Sequence, residues 1–281
     1  LRGNGDTLAV LPIFLPPVKL DLDQALVSTG YFSAIISLLY STNAPDLSHA
    51  FLDGVALNEM VAKISERSWY LPHRIVLLLM LYVLFLQGIP LLDPRILIVP
   101  PDSFNAGCLP FLVQKLRNHL SSIGNEAILL LFLDSHFTVL WLCAESAKGG
   151  LQARHLDSMG SDSHRPLVLS ILEDLALRHQ LTTFHVYSQA LAECGIIAAI
   201  SAALIAAYSH ECKQAQAIPG IQDLFGQLCS SPHKVAFDEV WRHHLGWILR
   251  LCFDIEFSVP SCETQIALVY DVSIIQDGLL D

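Results

Sequence analysis

The chain has 281 residues, of which 53% are hydrophobic and only 15% are charged, and its formal net charge is −11. This acidic balance argues against nucleic-acid binding, because phosphate contacts require clustered Lys and Arg. The seven Cys residues include no CxxC pair and no regular spacing, which favours free thiols in a reducing intracellular compartment (cytoplasm or nucleus) over a disulfide framework or a zinc site.

The first 48 residues are predicted to form an arm and a helix that pack on one domain over residues 49–281. Three prolines among apolar residues indicate an extended segment over 1–22, and a helix is expected over 24–40. Because the chain begins at Leu1 rather than Met, we expect it to be a fragment of a longer or processed chain.

An apolar stretch from Ile75 to Leu92 contains no charged residue and reaches the length of a short membrane-spanning helix. Gln87, Gly88 and Pro90 limit its strongly apolar part to about twelve residues, which is the length of a buried core helix. A core helix is therefore predicted, with membrane association as the alternative.

Helices and strands are mixed along the domain, a pattern that predicts an α/β fold with a mixed sheet. Helices are predicted over 51–64, 110–121 and 167–180, strands over 95–101, 127–133, 137–143, 151–156 and 182–187, one or two helices within 210–252, and a strand or tail over 266–275.

Two of these strands form a predicted hairpin, because their short connection contains Gly. Antiparallel pairing of Cys143 near Leu151 keeps the sum of the partner numbers near 294. His136 then falls opposite Asp157 or Ser158, so a carboxylate is predicted beside this histidine.

A run without charged residues from Ile196 to Ser209 predicts a buried central helix, because it is apolar on nearly every face. Cys194 and Gly195 are expected to begin this helix. The positive end of the helix dipole favours the thiolate form of a Cys at that place, and the small Gly195 is expected to leave room for a substrate backbone.

His136, Asp157, Gln189 and Cys194 together have the residue types for thiol catalysis. A histidine takes the thiol proton, and a carboxylate fixes the tautomer of that histidine. An amide near the Cys can donate a hydrogen bond to an oxyanion. Metal binding is not predicted at His210 to Cys212 or at His243 and His244, because neither group has the spacing of metal ligands.

Three sequence blocks occur in an order that is known from one enzyme family. They are Ser135-His136-Phe137-Thr138-Val139-Leu140, His155-Leu156-Asp157-Ser158-Met159-Gly160 and, after a Gln, Glu193-Cys194-Gly195-Ile196. Over residues 50–209 the chain resembles the Ulp/SENP-type cysteine proteases, which share a clan with adenoviral protease and the YopJ-type effectors. The upstream Phe51-Leu52-Asp53-Gly54 is similar to the WLND block of that family.

The resemblance implies a papain-like core of the Ulp type and an isopeptidase that cleaves after the C-terminal Gly-Gly of ubiquitin or a ubiquitin-like modifier such as SUMO. It implies no cofactor, a His136, Asp157 and Cys194 triad, and Gln189 at the oxyanion. The sequence departs from the family in having Phe137 in place of Trp. It also has Glu in place of Asp before the Cys, and a Gln that lies one residue closer to Cys194 than is usual.

Two alternatives share this architecture: a YopJ-type acetyltransferase and an interaction domain without catalysis. The Asp-Ser-Met-Gly block favours the protease over the acetyltransferase. In the resembling family the substrate tail passes through an aromatic channel. By analogy, Phe137 is expected to line such a channel, with Trp69 as a candidate for the opposite wall.

Overall fold

The protein is described by a computed structural model over a defined part of the chain. The described residues are 54–86, 95–99, 101, 109–122, 124–144, 150–159, 162–175, 178–186, 192–210, 217–223, 225, 238–239, 241–243, 245–246 and 248–250. The predicted arm and helix over 1–48, the predicted tail strand over 266–275 and Gln189 lie outside them.

A mixed five-stranded sheet forms the centre of the described fold, with strand order β1-β2-β3-β4-β5. Its strands are β1 (Ile96–Val99), β2 (Glu126–Leu133), β3 (His136–Ala144), β4 (Leu151–Asp157) and β5 (His179–His185). The two outer pairs, β1–β2 and β4–β5, are parallel, and the two inner pairs are antiparallel. The predicted α/β fold with a mixed sheet is confirmed.

Five helices with defined bounds accompany the sheet in the described residues. They are α1 (Gly54–Ser65), α2 (His73–Leu86), α3 (Leu109–Leu120), α4 (Arg165–Asp174) and α5 (Cys194–His210).

The sheet is covered on both faces, because alternate side chains of a strand point to opposite sides. On β2, Ile128 and Leu130 join a core formed with α1, α2 and α5. Leu129 and Leu131 of the same strand join a second core formed with α3 and α4. Burial on both faces explains why the central strands are almost continuously apolar in sequence.

Helix α5 packs between α2 and the sheet, as its sequence predicts. Its side chains from Ile196 to Ala206 are buried, and its many alanines allow close approach of neighbouring elements. Helix α2 is equally apolar, and its residues from Ile75 to Leu84 are all buried. The predicted core helix is confirmed in this position, and among the described residues no helix is both long and apolar enough to cross a membrane.

The predicted hairpin register, with a sum near 294, is confirmed to within one residue, because the partner numbers of β3 and β4 add to 295, as the pair Val139 and Leu156 shows. One detail of the predicted topology is wrong. The predicted helix over 167–180 ends earlier, at Asp174, because residues from His179 onward pair with β4 as strand β5.

Candidate active site

A tight turn between β2 and β3 places His136 at the first position of β3. Asp134 and Ser135 both have positive φ, 48° and 65°, which is the backbone of a two-residue hairpin turn. Asp tolerates this left-handed conformation better than most residues. Leu133 and His136 pair directly across the turn, so the histidine lies at one end of the sheet.

Asp157 is the last residue of β4 and contacts His136 directly. Its Oδ1 lies 2.8 Å from His136 Nε2 and also accepts the Met159 backbone N–H at 2.8 Å. Burial raises the pKa of this carboxyl, but the hydrogen bonds from His136, Met159 and His164 outweigh it, so the pKa lies below its ordinary value. Asp157 is therefore ionised near neutral pH.

A second histidine, His164, contacts the other oxygen of the same carboxylate. Its Nδ1 lies 2.9 Å from Asp157 Oδ2, and its ring stacks on that of His136 with the centroids 4.9 Å apart and the planes 12° apart. The sequence pattern did not predict this residue, which lies between the predicted strand over 151–156 and the predicted helix over 167–180. One available signal is Pro166, which marks the first turn of α4 and so places His164 at its N-cap.

The His136 tautomer follows from the ionised carboxylate. An anionic oxygen accepts hydrogen bonds only, so Nε2 carries the hydrogen and Nδ1 keeps its lone pair. His136 Nδ1 is buried and has no hydrogen-bond partner in the described part of the chain. It is the atom on this ring that can accept a proton.

Cys194 begins α5 and lies beside the backbone of the His136 segment. The backbone N–H groups of Phe137, Gly195 and Cys194 itself lie close enough to the sulfur to favour the thiolate. The Phe137 N–H belongs to the peptide that joins it to His136. The sequence expectation of a thiol shifted toward the thiolate is wrong for this structure. Burial raises the pKa of Cys194, and the three N–H groups and the Arg242 guanidinium only partly oppose it.

Gly195 is required by packing against α2. A Cβ there would lie 2.9 Å from Cγ2 of Val76 on α2 and 3.4 Å from Cδ2 of Phe137. The space that a side chain would need is therefore already filled, and the room that this glycine leaves for a substrate backbone stays a prediction.

Arg242 is a fully buried cation that holds the chain just before Cys194. It donates to the Ala192 carbonyl at 2.8 Å, to the Trp69 carbonyl at 2.9 Å and to the Ile64 carbonyl at 3.1 Å. Its charge is paired with both oxygens of buried Asp238, at 2.8 Å and 2.9 Å. Three separate segments are thereby joined behind the thiol, and no local sequence pattern pointed to this residue.

The residue before Cys194 is part of the same buried charge cluster. The Glu193 carboxylate lies 3.7 Å from the Arg67 guanidinium, which is also 3.5 Å from Asp238 and 3.6 Å from Glu239. The buried Glu193 therefore has a partly exposed cationic neighbour within the fold.

The two predicted channel residues have different surroundings. Phe137 is only 1% exposed and its ring contacts those of His73 and Phe132, with centroids 5.4 Å and 4.6 Å away. Trp69 is partly buried against the main core. Phe132, which is 36% exposed, is the member of the aromatic group that faces solvent.

His136, Asp157 and His164 are the one group of described residues spaced closely enough to hold a metal ion. Their geometry is that of hydrogen bonds instead. The two rings are nearly parallel and stacked, so the in-plane lone pairs of their nitrogens do not converge on one point. The N···O distances of 2.8 Å and 2.9 Å are those of charge-assisted hydrogen bonds.

Comparison with known proteins gives structural neighbours only. No protein-family model matches the sequence, and no curated protein matches it. One solved structure that matches is a crystal structure of a de-sumoylating protease, with 11% identity, a TM-score of 0.46, and coverage of 72% of this chain and 87% of the other. Another is the SUMO protease Ulp1 with its catalytic cysteine oxidised to a sulfinic acid, with 12% identity, a TM-score of 0.42, and coverage of 85% of this chain and 99% of the other. The case for a thiol site rests on the geometry of this chain's own residues.

Proposed function

We propose that the chain is a cysteine isopeptidase that cleaves after the C-terminal Gly-Gly of a ubiquitin-like protein. The observation that carries this proposal is a buried histidine with one nitrogen on an ionised aspartate and the other without a partner among the described residues. The next residue, Phe137, has its backbone N–H near the Cys194 thiol at the start of a central helix. Cys194 is the nucleophile, His136 the base and Asp157 the residue that fixes the base.

The reaction begins from a neutral thiol, because burial raises the pKa of Cys194. His136 Nδ1 takes the Sγ proton while the sulfur attacks the scissile carbonyl carbon. The resulting imidazolium is stabilised by Asp157. Collapse of the tetrahedral intermediate breaks the C–N bond, and His136 returns the proton to the leaving amine. Water then cleaves the thioester with His136 again as base, which restores the thiol and releases the carboxylic acid.

The oxyanion needs donors at the start of α5. Cys194 is the first residue of α5, where backbone N–H groups have no partner within the helix and the helix dipole favours negative charge. Gln189 remains the predicted side-chain donor.

The complete burial of the Cys194 thiol favours a narrow substrate tail. Cys194 is fully buried, so a scissile carbonyl reaches Sγ only through a narrow opening or after side chains move. A Gly-Gly tail is the thinnest peptide that can do so. We also propose that the protein functions in a reducing compartment, where the thiol stays free.

The proposal is tested with ubiquitin and a panel of ubiquitin-like proteins, each bearing an electrophile at its C-terminal glycine. We expect one modifier to form a covalent adduct that maps to Cys194 by mass spectrometry. The Cys194→Ser variant should form none, and the Cys143→Ser variant, which changes the other described cysteine, should react as the wild type does.

A parallel incubation with acetyl-CoA and inositol phosphate separates the alternatives. Self-acetylation without capture of any modifier would replace the isopeptidase with an acetyltransferase. If neither reaction occurs and Cys194 is no more reactive toward iodoacetamide than Cys143, the result would indicate a non-catalytic interaction domain.

A further inference from the structure

We propose that His164 is a positioning residue that holds the Asp157 carboxylate in the orientation that aligns His136 with the Cys194 thiol. This inference rests on the proposed thiol chemistry. It is carried by the division of one carboxylate between two stacked imidazoles, each within hydrogen-bond distance of a different oxygen.

His164 restricts the orientation of the Asp157 carboxylate. A carboxylate held through one oxygen can rotate about its Cβ–Cγ bond, whereas one held through both cannot. The His164 Nδ1–H donates to Oδ2, while His136 and the Met159 N–H bind Oδ1. His164 thereby holds Asp157 in the plane that keeps His136 Nδ1 available to the thiol.

Hydrogen bonds of His164 and of the next residue fix the position of His164 in the fold. It stands at the N-cap of α4, where its carbonyl accepts the Val168 N–H at 3.1 Å. The next residue, Arg165, donates to the Thr183 hydroxyl of β5 at 3.0 Å. The backbone of His164 and the side chain of the residue after it are therefore held to α4 and β5, and His164 is 5% exposed.

The division of the carboxylate also keeps one oxygen for the base. When His136 takes the thiol proton, its imidazolium depends on the negative charge of Asp157. Because His164 donates to Oδ2, Oδ1 stays with His136 and the Met159 N–H.

The test measures the rate of Cys194 alkylation by iodoacetamide at pH 7.5, which needs no peptide substrate. His164→Asn keeps an N–H donor near the position of Nδ1, so its rate should stay within about twofold of the wild-type rate. His164→Leu removes the donor and should lower the rate by about tenfold or more, the effect of losing a hydrogen bond to a charged group.

A measurement on the wild type does not depend on how well the variants fold. ¹⁵N chemical shifts of the histidine rings at the same pH should show His136 with its hydrogen on Nε2 and His164 with its hydrogen on Nδ1. The opposite tautomer for His164, or a wild-type alkylation rate in folded His164→Leu, would overturn the role of His164. An alkylation rate that does not change in His136→Asn would instead overturn the proposed function, whatever the His164 variants do.

Discussion

Replacing His155 with leucine should reduce the fall in the free energy of unfolding that occurs between neutral pH and pH 4.5. His155 lies on β4 and is 1% exposed, and neither of its ring nitrogens has a hydrogen-bond partner among the described residues. Burial lowers its pKa from 6.5 to about 4, against the attraction of Asp157 and with added repulsion from His136, His164 and His185.

The sign of the effect follows from where the proton binds. Between pH 6.5 and about 4 the unfolded chain protonates this ring and the folded protein does not, so the free energy of unfolding falls as pH falls through that window. At about 1.4 kcal/mol per pKa unit, the full effect is about 3 kcal/mol. Leucine cannot bind the proton and also removes a buried N–H without a partner, so at pH 7.5 it should be neutral or stabilising.

Urea unfolding of both proteins at pH 7.5 and pH 4.5 measures the difference. We expect the variant to lose about 2 to 3 kcal/mol less than the wild type between the two pH values. His243→Leu, at an exposed position, is the matched control and should lose as much as the wild type. Equal losses for His155→Leu and the wild type would refute the reasoning, because they would show that this ring binds its proton equally well in both states.

Two further predictions concern the support of the thiol. Arg242→Ala should lower the free energy of unfolding by about 3 to 5 kcal/mol, because it leaves a buried carboxylate and three carbonyls without their donor. Thermal and urea unfolding measure this, with exposed Arg250→Ala as the control, and a loss below about 1 kcal/mol would contradict it. Gly195→Ala should cost about 1 to 3 kcal/mol, because its Cβ would lie 2.9 Å from Val76 Cγ2. Adding Val76→Ala should recover part of that loss, and no recovery would show that the contact is not the cause.

The sequence predicts the parts of the site that local patterns determine. The apolar run after Gly195 predicts a buried helix with Cys194 at its start, which is confirmed. The alternating strands predict a hairpin that brings Asp157 to His136. The structure has that contact although the register is shifted by one residue.

What the sequence did not reveal depends on contacts between distant segments. Arg242 donates to carbonyls 50, 173 and 178 positions away, and no periodicity connects such residues. His164 lies in the turn before α4, and the path of that turn depends on how α4 packs against the sheet. The raised pKa of Cys194 depends on how many elements cover the thiol, which a helix-dipole argument from its first residues leaves out.

On the proposed mechanism two buried charges act together: Asp157, which the sequence predicted, and Arg242, which it did not. Proton transfer from Cys194 to His136 creates a thiolate and an imidazolium in a buried place, where separated charges are poorly solvated. Asp157 is a fixed anion on the imidazolium side, and the Arg242 guanidinium is a fixed cation on the thiolate side. Both favour the same direction of proton transfer. Because Asp238 neutralises much of Arg242 while Asp157 has only histidine and backbone partners in the described residues, Asp157 is expected to contribute the larger share. The buried thiol is thus neutral at rest and becomes a nucleophile only when His136 is aligned on Asp157, which is the alignment that His164 is proposed to maintain.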